Sequence, residues 1–108
     1  MRNASPHATP VVGQLLNLLE ARYAMRVLWA LRDGHPQTFR LLQDSVGGIT
    51  PNTLNTRIKE LRAAGLLTHA GEGYTVTALG LELIKRLGDL QGFATKWAHS
   101  LTTPSKTN

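Results

Sequence analysis

The sequence predicts a mainly α-helical domain carrying one small β-hairpin, and three observations predict it. Apolar residues recur at helical spacing over most of the chain. That period gives way to short alternating runs only around residues 66–77. Residues that start and stop helices fall at the ends of the periodic segments. At 108 residues the chain is one domain by length, with 42% hydrophobic and 18% charged residues and no cysteine. A core of that size needs no metal or disulfide to hold it. The missing cysteines exclude a disulfide framework, a thiolate metal site and thiol sensing, and they suit a reducing compartment.

The elements follow in order. Residues 1–10 hold Pro6 and Pro10 among small polar residues and read as a flexible tail, as do residues 102–108; the working unit is residues 11–101. Val12, Leu15, Leu16 and Leu19 are spaced i, i+3, i+4, i+7 in a short first helix, with Val11 and Leu18 widening the stripe. "ARYAMRVLWALRD", residues 21–33, is apolar on most of its circumference and predicts a central second helix that stops at Gly34, with Pro36 beyond. Thr38 can cap a third helix, "FRLLQDSV", with Phe39, Leu42 and Val46 inward, before Gly47 and Gly48 break it. Thr50 and Pro51 then start a fourth helix: the threonine oxygen can take an orphan amide, and proline loses nothing at the first helical position. Leu54, Ile58 and Leu61 define its buried side and Gly65 ends it. A helix, a glycine-containing turn and a second helix with a clean start form a helix-turn-helix over residues 38–64.

"LLTHA", "GEG" and "YTVT" follow as two strands around a glycine-rich hairpin, with Leu67, Tyr74 and Val76 facing inward. Thr77 caps a last helix expected to run for about two dozen residues. Within it Leu83, Leu87, Leu90, Ala94, Trp97 and Leu101 recur at heptad spacing. Three helices, a two-stranded wing and a closing helix make a winged helix-turn-helix with additional N- and C-terminal helices.

The fourth helix carries the functional signal. With Leu54, Ile58 and Leu61 set to the core, a rotation of about 100° per residue turns Asn52, Thr56, Lys59 and Ala63 outward. Asn55 and Arg62 flank one side; Thr53, Arg57 and Glu60 flank the other. Asparagine and threonine are poor helix formers, and nothing local rewards them on an exposed face. In a DNA major groove they can be rewarded, asparagine by pairing with adenine through two hydrogen bonds and threonine by hydroxyl or methyl contacts. Asn52, Thr53, Asn55 and Thr56 are therefore expected near base edges, and Arg57, Lys59 and Arg62 on phosphates, where contacts fix register without reading sequence. The free amides near Thr50 favour a further phosphate. Thr38 and Arg40 on the third helix and His69 on the wing complete the expected DNA-binding set. Twelve Lys and Arg against seven Asp and Glu give a net charge of +5, which favours a polyanionic partner.

Several stretches resemble the HxlR family of bacterial transcriptional regulators. "ARYAMRVLWALRDG" is similar to the family's second helix, with Arg22 and Tyr23 standing for its lysine and tryptophan. "TFRLLQDSVGGITPNTLNTRIKELRAAGLL" resembles its helix-turn-helix, and "YTVTALGLEL", through Tyr74, Thr77 and Gly80, its junction between wing and last helix. The resemblance implies a DNA-binding regulator that dimerises through its terminal helices. Family members usually have a cysteine ahead of the second helix; this chain has none, so thiol sensing is not carried over. The wing is also shorter than the family's and bears Glu72 at its tip.

Dimerisation also accounts for two apolar stripes that a lone winged domain does not need. Val12, Leu15, Leu16 and Leu19 on the first helix, and Leu83, Leu87, Leu90, Ala94, Trp97 and Leu101 on the last, are the expected interface. Two alternatives fit the same residues: a winged helix used as a protein-protein module, and a short-winged MarR-like regulator. His7, His35, His69 and His99 lack metal-ligand spacing, and Asp33 and Asp44 sit at helix ends as turn residues. No enzyme and no cofactor is expected. Trp29, Tyr23 and Trp97 are the aromatics available to an effector pocket, although core or interface packing is the commoner fate of such rings. With no apolar run of the ~18 residues a membrane span requires, the expected location is the cytoplasm and the expected partners are double-stranded DNA and a second copy of the chain.

Overall fold

The computed structural model describes residues 10–102, so most of both expected tails lies outside the described residues. The elements are α1 (Val11–Leu19), α2 (Ala24–Ala30), α3 (Phe39–Val46), α4 (Pro51–Ala63), β1 (Leu67–Ala70), β2 (Gly73–Val76), α5 (Ala78–Arg86) and α6 (Leu90–Thr102). This is the winged helix-turn-helix order, mainly helical with one small hairpin. α3 and α4 begin where their caps predict. The Thr38 hydroxyl accepts from the Leu41 amide at 3.2 Å, and the Thr50 hydroxyl accepts from the Thr53 amide at 3.2 Å.

The core gathers around α2. Val27, Leu28 and Leu31 meet Leu42 and Val46 of α3, Leu54, Ile58 and Leu61 of α4, Leu67 and Val76 of the hairpin, and Ile84 of α5; all are buried. Phe39, Tyr74, Leu19 and Leu83 are half-buried against this cluster. Leu19 and Leu83 are thus drawn first into the domain's own packing, and the remaining face of each stripe points elsewhere.

β1 and β2 pair antiparallel with Leu67 opposite Val76 and Ala70 opposite Gly73. Unforeseen in the sequence is a third pairing. Gln37, just before the α3 cap, exchanges backbone hydrogen bonds with Tyr74 at 2.9 and 2.7 Å, which closes one edge of β2.

Two expected boundaries are corrected. The second helix is shorter than residues 21–33. Tyr23 has φ 77°, a left-handed conformation that an α-helix cannot include, so α2 starts at Ala24. At its other end tight bonds from Leu31 to Leu28 and from Arg32 to Trp29 replace the helical pattern. The last helix is not continuous either. α5 ends with Leu87 as its C-cap, and Gly88 at φ 70° turns the chain. Asp89 restarts it by accepting from the Gly92 amide at 2.9 Å. Glycine is required there because a left-handed residue without a Cβ carries little penalty. The glycine that interrupts the expected heptad helix is its joint.

α6 has no buried residue. Phe93, Trp97 and Leu101 are 62%, 56% and 66% exposed. The Cα radius of gyration is 16.8 Å, against roughly 13 Å for a compact chain of this length. α6 extends from the body as an arm.

Candidate nucleic-acid interface

α4 is presented from below and from both ends. Leu54, Ile58 and Leu61, all at most 2% exposed, bury one side. At the N-terminal end the Thr50 hydroxyl also donates to the Thr53 hydroxyl at 3.0 Å, which holds the cap in its rotamer. The turn before it runs through Gly47 and Gly48, both at positive φ, and is braced by the Gln43 amide donating to the Ile49 carbonyl at 3.1 Å. At the C-terminal end the Gly65 amide bonds the Arg62 carbonyl and the Leu66 amide the Leu61 carbonyl, which leads the chain directly into β1.

The opposite face is open. Asn52, Asn55, Thr56, Lys59, Arg62 and Ala63 are exposed, and Thr53 is half-buried beside the cap. Asn52, Asn55, Lys59 and Arg62 make no side-chain hydrogen bond or ion pair within the described residues. Thr56 donates to the Asn52 carbonyl at 3.0 Å. A hydroxyl that donates in this way can still accept, so Thr56 keeps its acceptor capacity on an exposed residue. The surface therefore offers two amides, a hydroxyl and two cations whose alternative partner is water.

Arg57 departs from expectation. Its Nε donates to the Arg22 carbonyl at 2.8 Å and its Nη1 to Glu60 Oε1 at 2.9 Å, with the side chain 18% exposed. It does not stand free for a phosphate. The same pair neutralises Glu60, whose charge would otherwise oppose a phosphate backbone. Arg40 and Thr38 are exposed at the start of α3. His69 is exposed on β1, its ring edge-on to Tyr74 with centroids 4.8 Å apart. The wing tip carries Gly71 and Glu72 and adds no cation.

The apolar stripes are placed as follows. Val12, Leu16, Leu87, Leu90, Trp97 and Leu101 are exposed, as is Ala94, while Leu15 is half-buried. Phe93 belongs with them and was not foreseen: it lies three residues after Leu90, outside the heptad positions but on the same side of an α-helix. A helical spacing of i, i+3, i+4, i+7 over Leu90, Phe93, Ala94 and Trp97 is the signal that finds it. Among the described residues no cluster of three or more His, Cys, Asp or Glu could hold a metal, and no helix is long and apolar enough to cross a membrane.

The family model described as HxlR-like helix-turn-helix matches residues 18–102, from the end of α1 through α6. The chain belongs to the HxlR-like family. An uncharacterised HTH-type transcriptional regulator from Halalkalibacterium halodurans is 34% identical over 55 residues, 51% of this chain and 49% of that protein. The chain thus spans about half the length of this curated relative. Among solved structures, a possible HxlR family transcriptional factor from Thermoplasma volcanium superposes with a TM-score of 0.72 at 26% identity, covering 83% of this chain and 86% of its own. Quinone-bound YodB from B. subtilis gives 0.69 at 25% identity, covering 79% and 96%. A MarR family regulator from Enterococcus faecalis shares the fold at 0.66 and 20% identity, covering 90% and 96%. The HxlR-like family and these relatives are transcriptional regulators, not enzymes.

Proposed function

We propose that this HxlR-like chain is a sequence-specific regulator that binds double-stranded DNA as a homodimer, with α4 of each copy in a major groove of a pseudo-palindromic operator. One observation carries the reading: a face of α4 bearing Asn52, Asn55, Thr56, Lys59 and Arg62 lies open, with only the Thr56 hydroxyl bonded, to the Asn52 carbonyl of its own helix, directly opposite a fully buried side. Asn52, Asn55 and Thr56 read base edges, while Lys59, Arg62 and Arg40 neutralise phosphates. The amides after Thr50 add no phosphate site: Pro51 has none, the Thr53 amide is held by the Thr50 hydroxyl and the Leu54 amide by the Thr50 carbonyl. Thr53 and Thr38 act through their caps and His69 through the wing. Val12 and Leu16 of α1 with Leu90, Phe93, Trp97 and Leu101 of α6 form the self-complementary surface. This surface sets the two reading helices about one DNA turn, roughly 34 Å, apart. The site of action is the cytoplasm.

Selection of bound duplexes from a random DNA pool tests this directly. An inverted repeat with half-sites one turn apart is the expected result. Affinity for the selected duplex should fall steeply between 50 and 200 mM salt. Asn55→Ala should relax preference at particular base pairs, and Arg62→Ala should weaken all sequences and lower the salt slope by about 1. A pool that returns no preferred sequence, or binding indifferent to salt, would overturn the proposal in favour of a protein-binding module.

A further inference from the structure

Arg57 points along a different line from the other cations of α4. Lys59 and Arg62 are exposed and unpaired within the described residues, whereas the Arg57 guanidinium is turned inward onto the carbonyl of Arg22, at the corner between α1 and α2. That corner is unusual. Tyr23, the next residue, is the one non-glycine residue at positive φ among the described residues, a conformation that a bulky L-residue rarely adopts. Such a conformation persists only where its surroundings over-determine it. The Tyr23 hydroxyl donates to the Gly48 carbonyl at 3.2 Å, inside the turn that leads to α4. The Arg22 guanidinium covers the Tyr23 ring at 4.8 Å, and Arg26 Nη1 reaches the Val46 carbonyl at 3.4 Å.

The corner is therefore tied both to the turn, through Tyr23 at Gly48, and to the reading helix, through Arg57 about two turns beyond the Thr50 cap. The tie at the turn bears on where the helix starts. The tie at Arg57, off the buried side, bears on how far the helix is rolled about its own axis, which decides which side chains meet the groove floor. We propose that Arg57 is a positioning residue for base reading, holding the roll of α4 against the root of α1 instead of contacting a phosphate. A phosphate would have to compete with the Arg22 carbonyl and Glu60 for the Arg57 guanidinium. Drawing the guanidinium away from them would loosen the corner and leave Glu60 less neutralised next to the charge of the DNA. Because α1 carries part of the proposed dimer surface, the same contact makes the angle of the reading helix depend on the element that sets the spacing between copies.

The proposal rests on the DNA-binding reading, and the test separates the two. Fluorescence anisotropy compares a duplex recovered from the random pool with a scrambled duplex of equal length, from 50 to 200 mM salt. It uses the wild-type dimer, Arg57→Met combined with Glu60→Gln, Arg57→Lys and Arg62→Ala. The double variant keeps the net charge and removes both bonds. It should weaken the selected duplex about tenfold, leave the scrambled duplex within about twofold, and keep the wild-type salt slope. Arg57→Lys, whose ammonium can still donate to the Arg22 carbonyl, should recover part of the discrimination. Arg62→Ala should weaken both duplexes and lower the slope by about 1.

Equal weakening of both duplexes by the double variant with a slope lowered by about 1 would mean a phosphate contact and overturn the proposal, as would no change in either duplex. If the double variant does not fold, Tyr23→Phe, which deletes only the hydroxyl tie, must lose discrimination at constant slope, and unchanged discrimination refutes the mechanism. A wild-type protein that prefers no duplex is visible in its own arm, sinks the DNA-binding reading, and takes this proposal with it.

Discussion

Replacing Trp97 by alanine probes the proposed pairing of α6 with a second copy. Trp97 is 56% exposed on a helix with no buried residue, so little inside the protomer depends on it. A tryptophan can bury up to ~250 Å², so the exposed part amounts to on the order of 140 Å². Covering it at about 25 cal/mol per Å² is worth about 3.5 kcal/mol per protomer, and a two-fold interface contains it twice. Area overstates affinity, since ordering and imperfect fit take back much of the gain. At half of the symmetric total, about 3.5 kcal/mol, the dimer dissociation constant should rise several-hundredfold, on the order of 300 times. Sedimentation velocity over a concentration series measures that constant, with thermal unfolding of the monomer alongside. The midpoint of monomer unfolding should hardly move. A dissociation constant within about threefold of wild type would show that α6 does not carry the interface, and a large loss of monomer stability would show that Trp97 packs within the protomer.

Two further predictions concern the body of the domain. A Cβ at Gly80 would overlap the Leu66 carbonyl oxygen, which is backbone and cannot swing aside. Gly80→Ala should therefore destabilise the domain by about 2 kcal/mol in urea unfolding, against the ~1 kcal/mol gain that helix propensity alone would give; a gain would refute the close approach of α5 to the start of β1. At Asp33 the His35 amide donates to the carboxylate at 3.1 Å, and this bond holds the Asp33 carboxyl below its ordinary value. A carboxyl depressed in the folded state contributes stability above the ordinary carboxylate range and loses it as pH falls through that range. Asp33→Asn should thus flatten part of the acid limb of the stability profile, by a small amount because the group is exposed, and an NMR titration of Asp33 displaced upward would refute the sign.

Much of this fold is legible because its local signals agree. Thr38, Thr50 and Thr77 each cap the helix they announce, and Leu54, Ile58 and Leu61 fix which side of α4 is hidden. The open face of α4 follows from that rotation alone. Other features were hidden for physical reasons. A left-handed tyrosine has no sequence signature, since only glycine advertises positive φ, so the shortening of α2 at Tyr23 and the carbonyl it turns toward Arg57 went unseen. Arg57 read as a surface cation because spacing along one helix cannot show that a loop thirty-five residues earlier reaches over it. The joint at Gly88 is half legible: a glycine inside a helical pattern allows a bend, but the heptad spacing of Leu83, Leu87 and Leu90 continues across the break and favours one continuous helix over the stop and restart at Gly88 and Asp89. The pairing of Gln37 with Tyr74 is long-range backbone bonding between a loop and a strand, for which side-chain patterns carry no information.

The arm beyond Gly88 has one more consequence. A helix of 13 residues with no buried position is near the length at which a solitary helix in water is barely favoured, roughly 12–15 residues. In the proposed dimer its order is supplied by the copy that covers Phe93 and Trp97, which would make assembling and winding one thermodynamic event. Diluting the protein should unwind α6 as it separates the copies, and the far-ultraviolet circular dichroism per residue should fall with concentration while the rest of the domain keeps its shape.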